Sequence, residues 1–332
     1  MDLLKLKYNQ DVKQLTNVLN RQIKKLKMQR NPNLRVEIDK LILNYKMAVS
    51  QLYKKMLNDI NNTTNKNIPP QKKALLVGIN YTNTPYQLYG CINDVNNMKQ
   101  LLVKQYGYLE QNVVMLTDVV KNNLELLPTN ANIISQLTTL LKNAKSGDQL
   151  VFVYSGHGSS VSDKNGDETS GYDSVLVPLD SLTNNSKLII DDQIKQLINT
   201  NLKPGVQLFA LLDCCNSGTS FDLRYNYLNS DSGNNTSINM KQSLTPSKVV
   251  MLSGCTDSQT SADAQFKDAS GNMVSGGALT YTFMNTLQTN KYAISYSNLL
   301  QGIRRSLKQN GYTQVPQLSS GQSLNLLTNF SI

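Results

Sequence analysis

Toward the N-terminus, apolar residues recur at mixed three- and four-residue spacing: Val12, Leu15, Val18, Leu19, Ile23 and Leu26, then Ile38, Leu41, Ile42, Tyr45, Val49 and Leu52. That spacing marks amphipathic helix. The break at Asn31-Pro32-Asn33 divides it, because proline lacks a donor and restricts the residue before it. A helical N-terminal region, either a hairpin or a pro-segment, is therefore expected over residues 1–57. The polar stretch that follows, closing on Ile68-Pro69-Pro70, reads as a linker over 58–71, and the main domain as 72–332.

Within the main domain the pattern changes. Short apolar or β-branched runs at 74–79 (ALLVGI), 113–116 (VVML), 149–154 (QLVFVY), 207–212 (QLFALL) and 248–253 (KVVMLS) are buried-strand runs. Helical patterns lie between and after them, near 92–105, 131–145, 191–201, 279–289 and 296–308, and a last short strand is expected from Val315 to Leu318. Strand alternating with helix predicts an α/β fold, a mostly parallel central sheet of about six or more strands covered on both faces. In such sheets the functional groups gather where strands end and the chain turns toward a helix. Two of the runs lead into chemically capable residues: QLVFVY into Ser155-Gly156-His157-Gly158, and QLFALL into Asp213-Cys214-Cys215-Asn216-Ser217-Gly218.

Composition sharpens this picture only in places. At 332 residues and 39% hydrophobic content the chain can fill a sizeable core. It has no apolar run of about 18 residues and no apolar stretch behind a basic start, so neither a membrane span nor a secretory leader is expected. The four cysteines are Cys91, Cys214, Cys215 and Cys255. None forms a CxxC pair, which favours free thiols in a reducing, cytoplasmic setting over a zinc site or a disulfide framework. The net charge of +10 is one-sided: residues 1–73 hold 16 Lys and Arg against 5 Asp and Glu, and the remainder 17 against 18. Such an arm can bind nucleic acid or an acidic lipid surface, or simply be a solvated basic helix. With no aromatic-rich basic patch, the nucleic-acid reading is the weaker.

A thiol is mostly protonated at neutral pH, so a cysteine nucleophile needs an imidazole or another positive influence beside it. His157, the chain's one histidine, meets that need. The bland alternative is a loop histidine and small core cysteines. Tyr154-Ser155-Gly156-His157-Gly158 and Leu212-Asp213-Cys214-Cys215-Asn216-Ser217-Gly218, in that order and each after an apolar strand, resemble the His and Cys signatures of caspase-like peptidases, the metacaspase branch above all. Supporting segments include Val77-Gly78-Ile79-Asn80-Tyr81, Gly90-Cys91-Ile92-Asn93-Asp94, Gly171-Tyr172-Asp173, Leu252-Ser253-Gly254-Cys255, Gln259-Thr260-Ser261-Ala262-Asp263 and Gly277-Ala278-Leu279-Thr280.

The resemblance implies a cysteine endopeptidase with Cys215 as nucleophile and His157 as base, working through a thioester. It implies cleavage after Arg or Lys, with Asp94 and Asp213 supplying carboxylates and Cys91 and Ser155 lining the same pocket. Carboxylates suit guanidinium and ammonium groups, although Asp94 read alone could be a helix N-terminal residue favoured by the dipole. The resemblance further implies an activating calcium ion held by Asp173, Asp191, Asp192 and Asp222, and a monomer. The stretch Asp163 to Ser174 is no EF-hand, lacking glycine at position six and glutamate at position twelve. Asn216 stands where many metacaspases carry histidine. Autocleavage is expected at exposed basic positions, with Lys66, Lys72, Lys73, Arg224, Lys241 and Lys248 as candidates. The alternative is a caspase-like scaffold of little turnover that binds a partner through its N-terminal helices.

Overall fold

The computed structural model describes residues 2–29, 33–65, 69–119, 123–164, 166, 171–214, 221–227, 236–254, 263–267 and 273–332. The described residues fall into two compact units, Met1–Pro69 and Pro70–Ile332.

The first unit is two helices, α1 (Asp2–Lys27) and α2 (Leu34–Asn65). Tyr8 meets Tyr53 edge-on with ring centroids 5.9 Å apart, and Thr16 Oγ1 lies 2.9 Å from Tyr45 Oη. The partner of the later α1 residue is the earlier α2 residue, so the helices run antiparallel. Every described side chain here is half-buried or exposed. The second helix continues to Asn65, so the linker expected from residue 58 begins later. The residues between the helices, Asn31 and Pro32 among them, lie outside the described residues.

The second unit contains, in chain order, β1 (Lys72–Gly78), α3 (Cys91–Tyr106), β2 (Val113–Thr117), α4 (Asn130–Lys142), β3 (Gln149–Ser155), β4 (Gly158–Ser162), β5 (Tyr172–Leu176), β6 (Ile189–Ile190), α5 (Asp191–Asn201), β7 (Gln207–Asp213), β8 (Tyr225–Tyr227), β9 (Thr236–Ile238), β10 (Lys248–Ser253), β11 (Asp263–Lys267), β12 (Met273–Gly277), α6 (Ala278–Thr289), α7 (Tyr296–Gln309) and β13 (Gln317–Ser320). Among the described residues the main sheet has eight strands, in the order β2-β1-β3-β7-β10-β13-β8-β9. The first five run parallel, and β13, β8 and β9 join antiparallel. This is the expected α/β architecture, a mostly parallel central sheet with an apolar core on both faces.

Continuous apolar runs form the parallel strands because both faces are covered. Leu76, Val95, Val153, Leu211, Phe283 and Ile303 pack on one face, and Val77, Leu137, Phe152, Leu212 and Ile194 on the other, each with almost no exposed surface. Two small sheets, β4-β5-β6 and β11-β12, stand apart from the main one. No helix among the described residues is long and apolar enough to cross a membrane.

Candidate active site

Adjacent parallel strands in register release their loops side by side. Gly78 at the end of β1 is opposite Ser155 at the end of β3, and Ser155 is opposite Asp213 at the end of β7. The Gly156 amide donates to the Asp213 carbonyl at 3.4 Å, so the chain leaves the sheet side by side at Gly156 and at Cys214. Cys214 is buried. Cys215 and the Asn216 that follows it lie outside the described residues.

His157 is half-buried, and its Nε2 lies 2.7 Å from the Tyr86 carbonyl oxygen. A carbonyl only accepts, so this contact favours the tautomer with the proton on Nε2 and the lone pair on Nδ1. The Tyr81 ring packs on the imidazole at 4.6 Å between centroids. The loop that presents Tyr86 is built by two short polar side chains. Asp118 accepts the Asn80 and Thr82 amides, each at 3.0 Å, and Asn80 Oδ1 accepts the Cys91 amide at 3.0 Å, tying the loop to the start of α3.

Asp94 and Asp213 come together at the same strand ends. Asp94, in the first turn of α3, is buried. Its carboxylate accepts Ser155 Oγ at 2.6 Å and the Gly277 amide at 2.9 Å to both oxygens. Asp213, also buried, accepts the Thr280 amide at 2.7 Å from the first turn of α6. A Cβ at Gly277 would strike the carboxylates of both residues, so this glycine sits between them. Cys91 is the buried first residue of α3. The pocket residues expected from the sequence are thus gathered in one place. The role of the Gly277 amide was not legible there, because any residue type but proline carries an amide.

A second acidic group lies on β5, α5 and the segment after the undescribed 215–220. Asp191 opens α5, and its carboxylate accepts the Ser174 and Asp192 amides at 2.7 and 2.9 Å. Burial, then repulsion from Asp222 and from Asp173, pushes its carboxyl up to about 8. Asp173 and Asp222 are buried, and Asp192 is half-buried. Asp222 holds a left-handed backbone, φ 47°, its Oδ1 has no hydrogen-bond partner among the described residues, and its Oδ2 lies 3.6 Å from Lys195 Nζ. As arranged, no three His, Cys, Asp or Glu side chains among the described residues converge into a metal-holding group.

The candidate autocleavage positions separate. Lys72 and Lys73 are not linker residues: both open β1 and pair with β3, and Lys72 Nζ donates to the Tyr106 and Ile332 carbonyls at 2.8 and 3.0 Å. Cleavage after either would require stripping β1 from the sheet. Lys248 opens β10, and its ammonium sits 5.3 Å from the centre of the Tyr296 ring. Arg224 is half-buried and donates to the Gln242 carbonyl at 3.3 Å. Lys241 is exposed in a turn. Lys66 lies outside the described residues.

A histidine and two buried aspartates gathered where adjacent parallel strands end fit the cysteine-peptidase class that the sequence resembles. The family model for the metacaspase, peptidase C14 domain matches residues 72–224. Metacaspase-1 of Schizosaccharomyces pombe is 36% identical over 301 residues, covering 77% of this chain and 68% of that protein. Metacaspase-1 of Meyerozyma guilliermondii is 36% identical over 306 residues, covering 78% of this chain and 72% of that protein. Among solved structures, protein GSU0716 from Geobacter sulfurreducens superposes with a TM-score of 0.55 at 22% identity, over 78% of this chain and 98% of that one. The chain belongs to the metacaspase family, and is a cysteine peptidase.

Proposed function

We propose that the chain is a calcium-activated endopeptidase that cleaves after Arg or Lys, with Cys215 as nucleophile and His157 as general base. The observation that carries the specificity is the meeting of Asp94 and Asp213 around Gly277, at the strand ends that also release His157 and Cys215. Two buried carboxylates repel an acidic side chain and receive a basic one through charge-assisted hydrogen bonds.

In the first step His157 Nδ1 takes the thiol proton and the Cys215 thiolate attacks the scissile carbonyl carbon. The carbon–nitrogen bond then breaks, the thioester forms, and the imidazolium returns its proton to the leaving amine. Water next attacks the thioester while His157 accepts its proton, and the carboxylate product leaves as the thiol is restored.

Asp173, Asp191, Asp192 and Asp222 would hold the calcium ion. Hard oxygen donors in mutual repulsion, with one buried oxygen of Asp222 lacking a partner among the described residues, are chemically suited to it. The ion would supply the positive charge that lets these carboxylates ionise together. Lys195 supplies part of that charge in its absence.

Autoprocessing, a monomeric state and cytoplasmic residence belong to the same reading, with Lys241 the exposed candidate among the described cleavage positions. Intact mass before and after calcium tests processing. The deciding experiment is hydrolysis of a fluorogenic Arg peptide beside its Asp counterpart, with and without millimolar calcium. Calcium-dependent Arg cleavage, lost in Cys215→Ala and kept in Cys214→Ala, is the expected result. Cleavage of the Asp peptide would overturn the pocket, and silence on both from folded protein would favour the scaffold reading.

A further inference from the structure

We propose that Tyr81 and Tyr154 are positioning residues that hold His157 by its backbone from both sides, so that its ring keeps the orientation a base requires. The inference rests on the reading of His157 as that base.

Both tyrosines are fully buried. The His157 amide donates to Tyr81 Oη at 2.9 Å, and Tyr154 Oη lies 2.9 Å from the His157 carbonyl oxygen. Each hydroxyl has one proton, and the shortest contact of each assigns it, with the two hydroxyls 3.2 Å apart and Tyr154 Oη also 3.1 Å from the Val177 carbonyl. Tyr81 gives its proton to the Val177 carbonyl at 2.6 Å while accepting from His157. Tyr154 then gives its own to the His157 carbonyl and accepts the Val177 amide at 3.1 Å. Burial holds both phenols well above their ordinary range, so neither proton is lost near neutrality.

The rest of the geometry serves the same arrangement. Tyr81 adopts φ 50°, a left-handed backbone that is uncommon without glycine. That strain persists only where the surroundings over-determine it, and here it lays the ring against the imidazole and the hydroxyl under the His157 amide. A Cβ at Gly156 would come within 3.0 Å of Tyr81 Oη and 3.1 Å of Tyr154 Oη, so any larger residue there would press both hydroxyls out of place by a few tenths of an ångström. With the backbone pinned and Nε2 committed to the Tyr86 carbonyl, the ring has one tautomer and one direction.

Turnover and the spectrum of the chain's single imidazole are the two readouts, applied to Tyr81→Phe and Tyr154→Phe. Tyr227→Phe serves as control, because it removes a buried hydroxyl bonded to Ser320 and Leu324 on a distant strand. Misplacing a catalytic group by about 1 Å costs on the order of a hundredfold. The expected result is kcat lowered by roughly tenfold or more in both variants, KM within about twofold, a displaced pH–rate limb, and nitrogen shifts that move from one tautomer toward a mixture. The control should change thermal stability alone. Wild-type kcat and unchanged imidazole shifts in folded variants would overturn the proposal. Should a variant fail to fold, wild-type protein decides: slow hydrogen exchange at the His157 amide with a single Nε2–H tautomer supports the clamp, and fast exchange with mixed tautomers sinks it. A His157→Ala variant that keeps full activity would instead remove the base reading, and the proposal with it.

Discussion

The domain buries aspartates in two places and treats them in opposite ways. Around Gly277, the carboxylates of Asp94 and Asp213 accept from donors fixed by the fold: the Ser155 hydroxyl and the amides of Gly277 and Thr280. Around Asp191, the carboxylates of Asp173 and Asp222 press on a neighbour whose own charge burial already opposes. At one place the carboxylates are met by hydroxyl and amide donors that the fold supplies. At the other they are left short of positive charge, with Lys195 as the nearby ammonium.

The comparison can be broken most sharply at the pocket. Truncating one partner of a buried charged contact costs about 2–5 kcal/mol. Asp94→Ala and Asp213→Ala should therefore each lower kcat/KM on Arg peptides by roughly two orders of magnitude, mainly through KM. Asp191→Asn should leave KM at saturating calcium nearly unchanged. Equal effects in both regions would erase the distinction. Gly277→Ala comes next: its methyl would enter the space between the two carboxylates, and Arg-peptide KM should rise by about tenfold or more, while Tm falls only modestly.

Smaller effects belong to the second region. In calcium titrations followed by Tm, Lys195→Met should bind the ion more tightly than wild type by several-fold, because a competing ammonium has gone. Weaker binding would mean that Lys195 orients a ligand instead. The pH dependence is the subtlest. Asp191 is raised from an ordinary 3.8 to about 8, so between those values the folded state holds a proton that the unfolded state lacks. Its contribution to stability is full below about 4 and is lost as pH rises toward 8. Without calcium, Tm should decline across pH 5–8, each kcal/mol being worth about 2–4 °C in a domain near this size. Added calcium should raise Tm most at the upper end, and a flat profile would show that Asp191 ionises freely.

Much of this was legible in the sequence, for reasons that also explain what was not. The five parallel strands stand within two residues of expectation because buried parallel strands are unbroken apolar runs. Strands β4, β8, β9 and β12, with sequences GSSVS, YNY, TSI and MVSGG, carry no comparable run, and none was expected. The last strand falls at Gln317–Ser320 instead of Val315–Leu318, since pairing with β10 and not hydrophobicity sets its register. Side-chain chemistry at strand ends could be read as well: Asp94, Ser155 and Asp213 converge. The Tyr86 carbonyl and the Gly277 amide could not be read, because backbone groups leave no mark on residue type. Tyr81 and Tyr154 stood inside quoted motifs, but their reach to either side of His157 depends on loops that only the folded chain defines.

Strand β5 joins the second region to the tyrosines that meet His157. Asp173 sits at its second position, and Val177, whose carbonyl and amide meet the two tyrosine hydroxyls, follows directly after its end. The strand is paired on one edge with β4 along its length and on the other with β6 at Val175 and Leu176, so it behaves as a short strut. Asp173 and Val177 stand four residues apart, roughly 13 Å of extended chain at 3.3 Å per residue. A strand that moves as one piece would shift the single imidazole resonance when calcium is titrated in, and an unmoved resonance at saturating calcium would show that the two ends are independent.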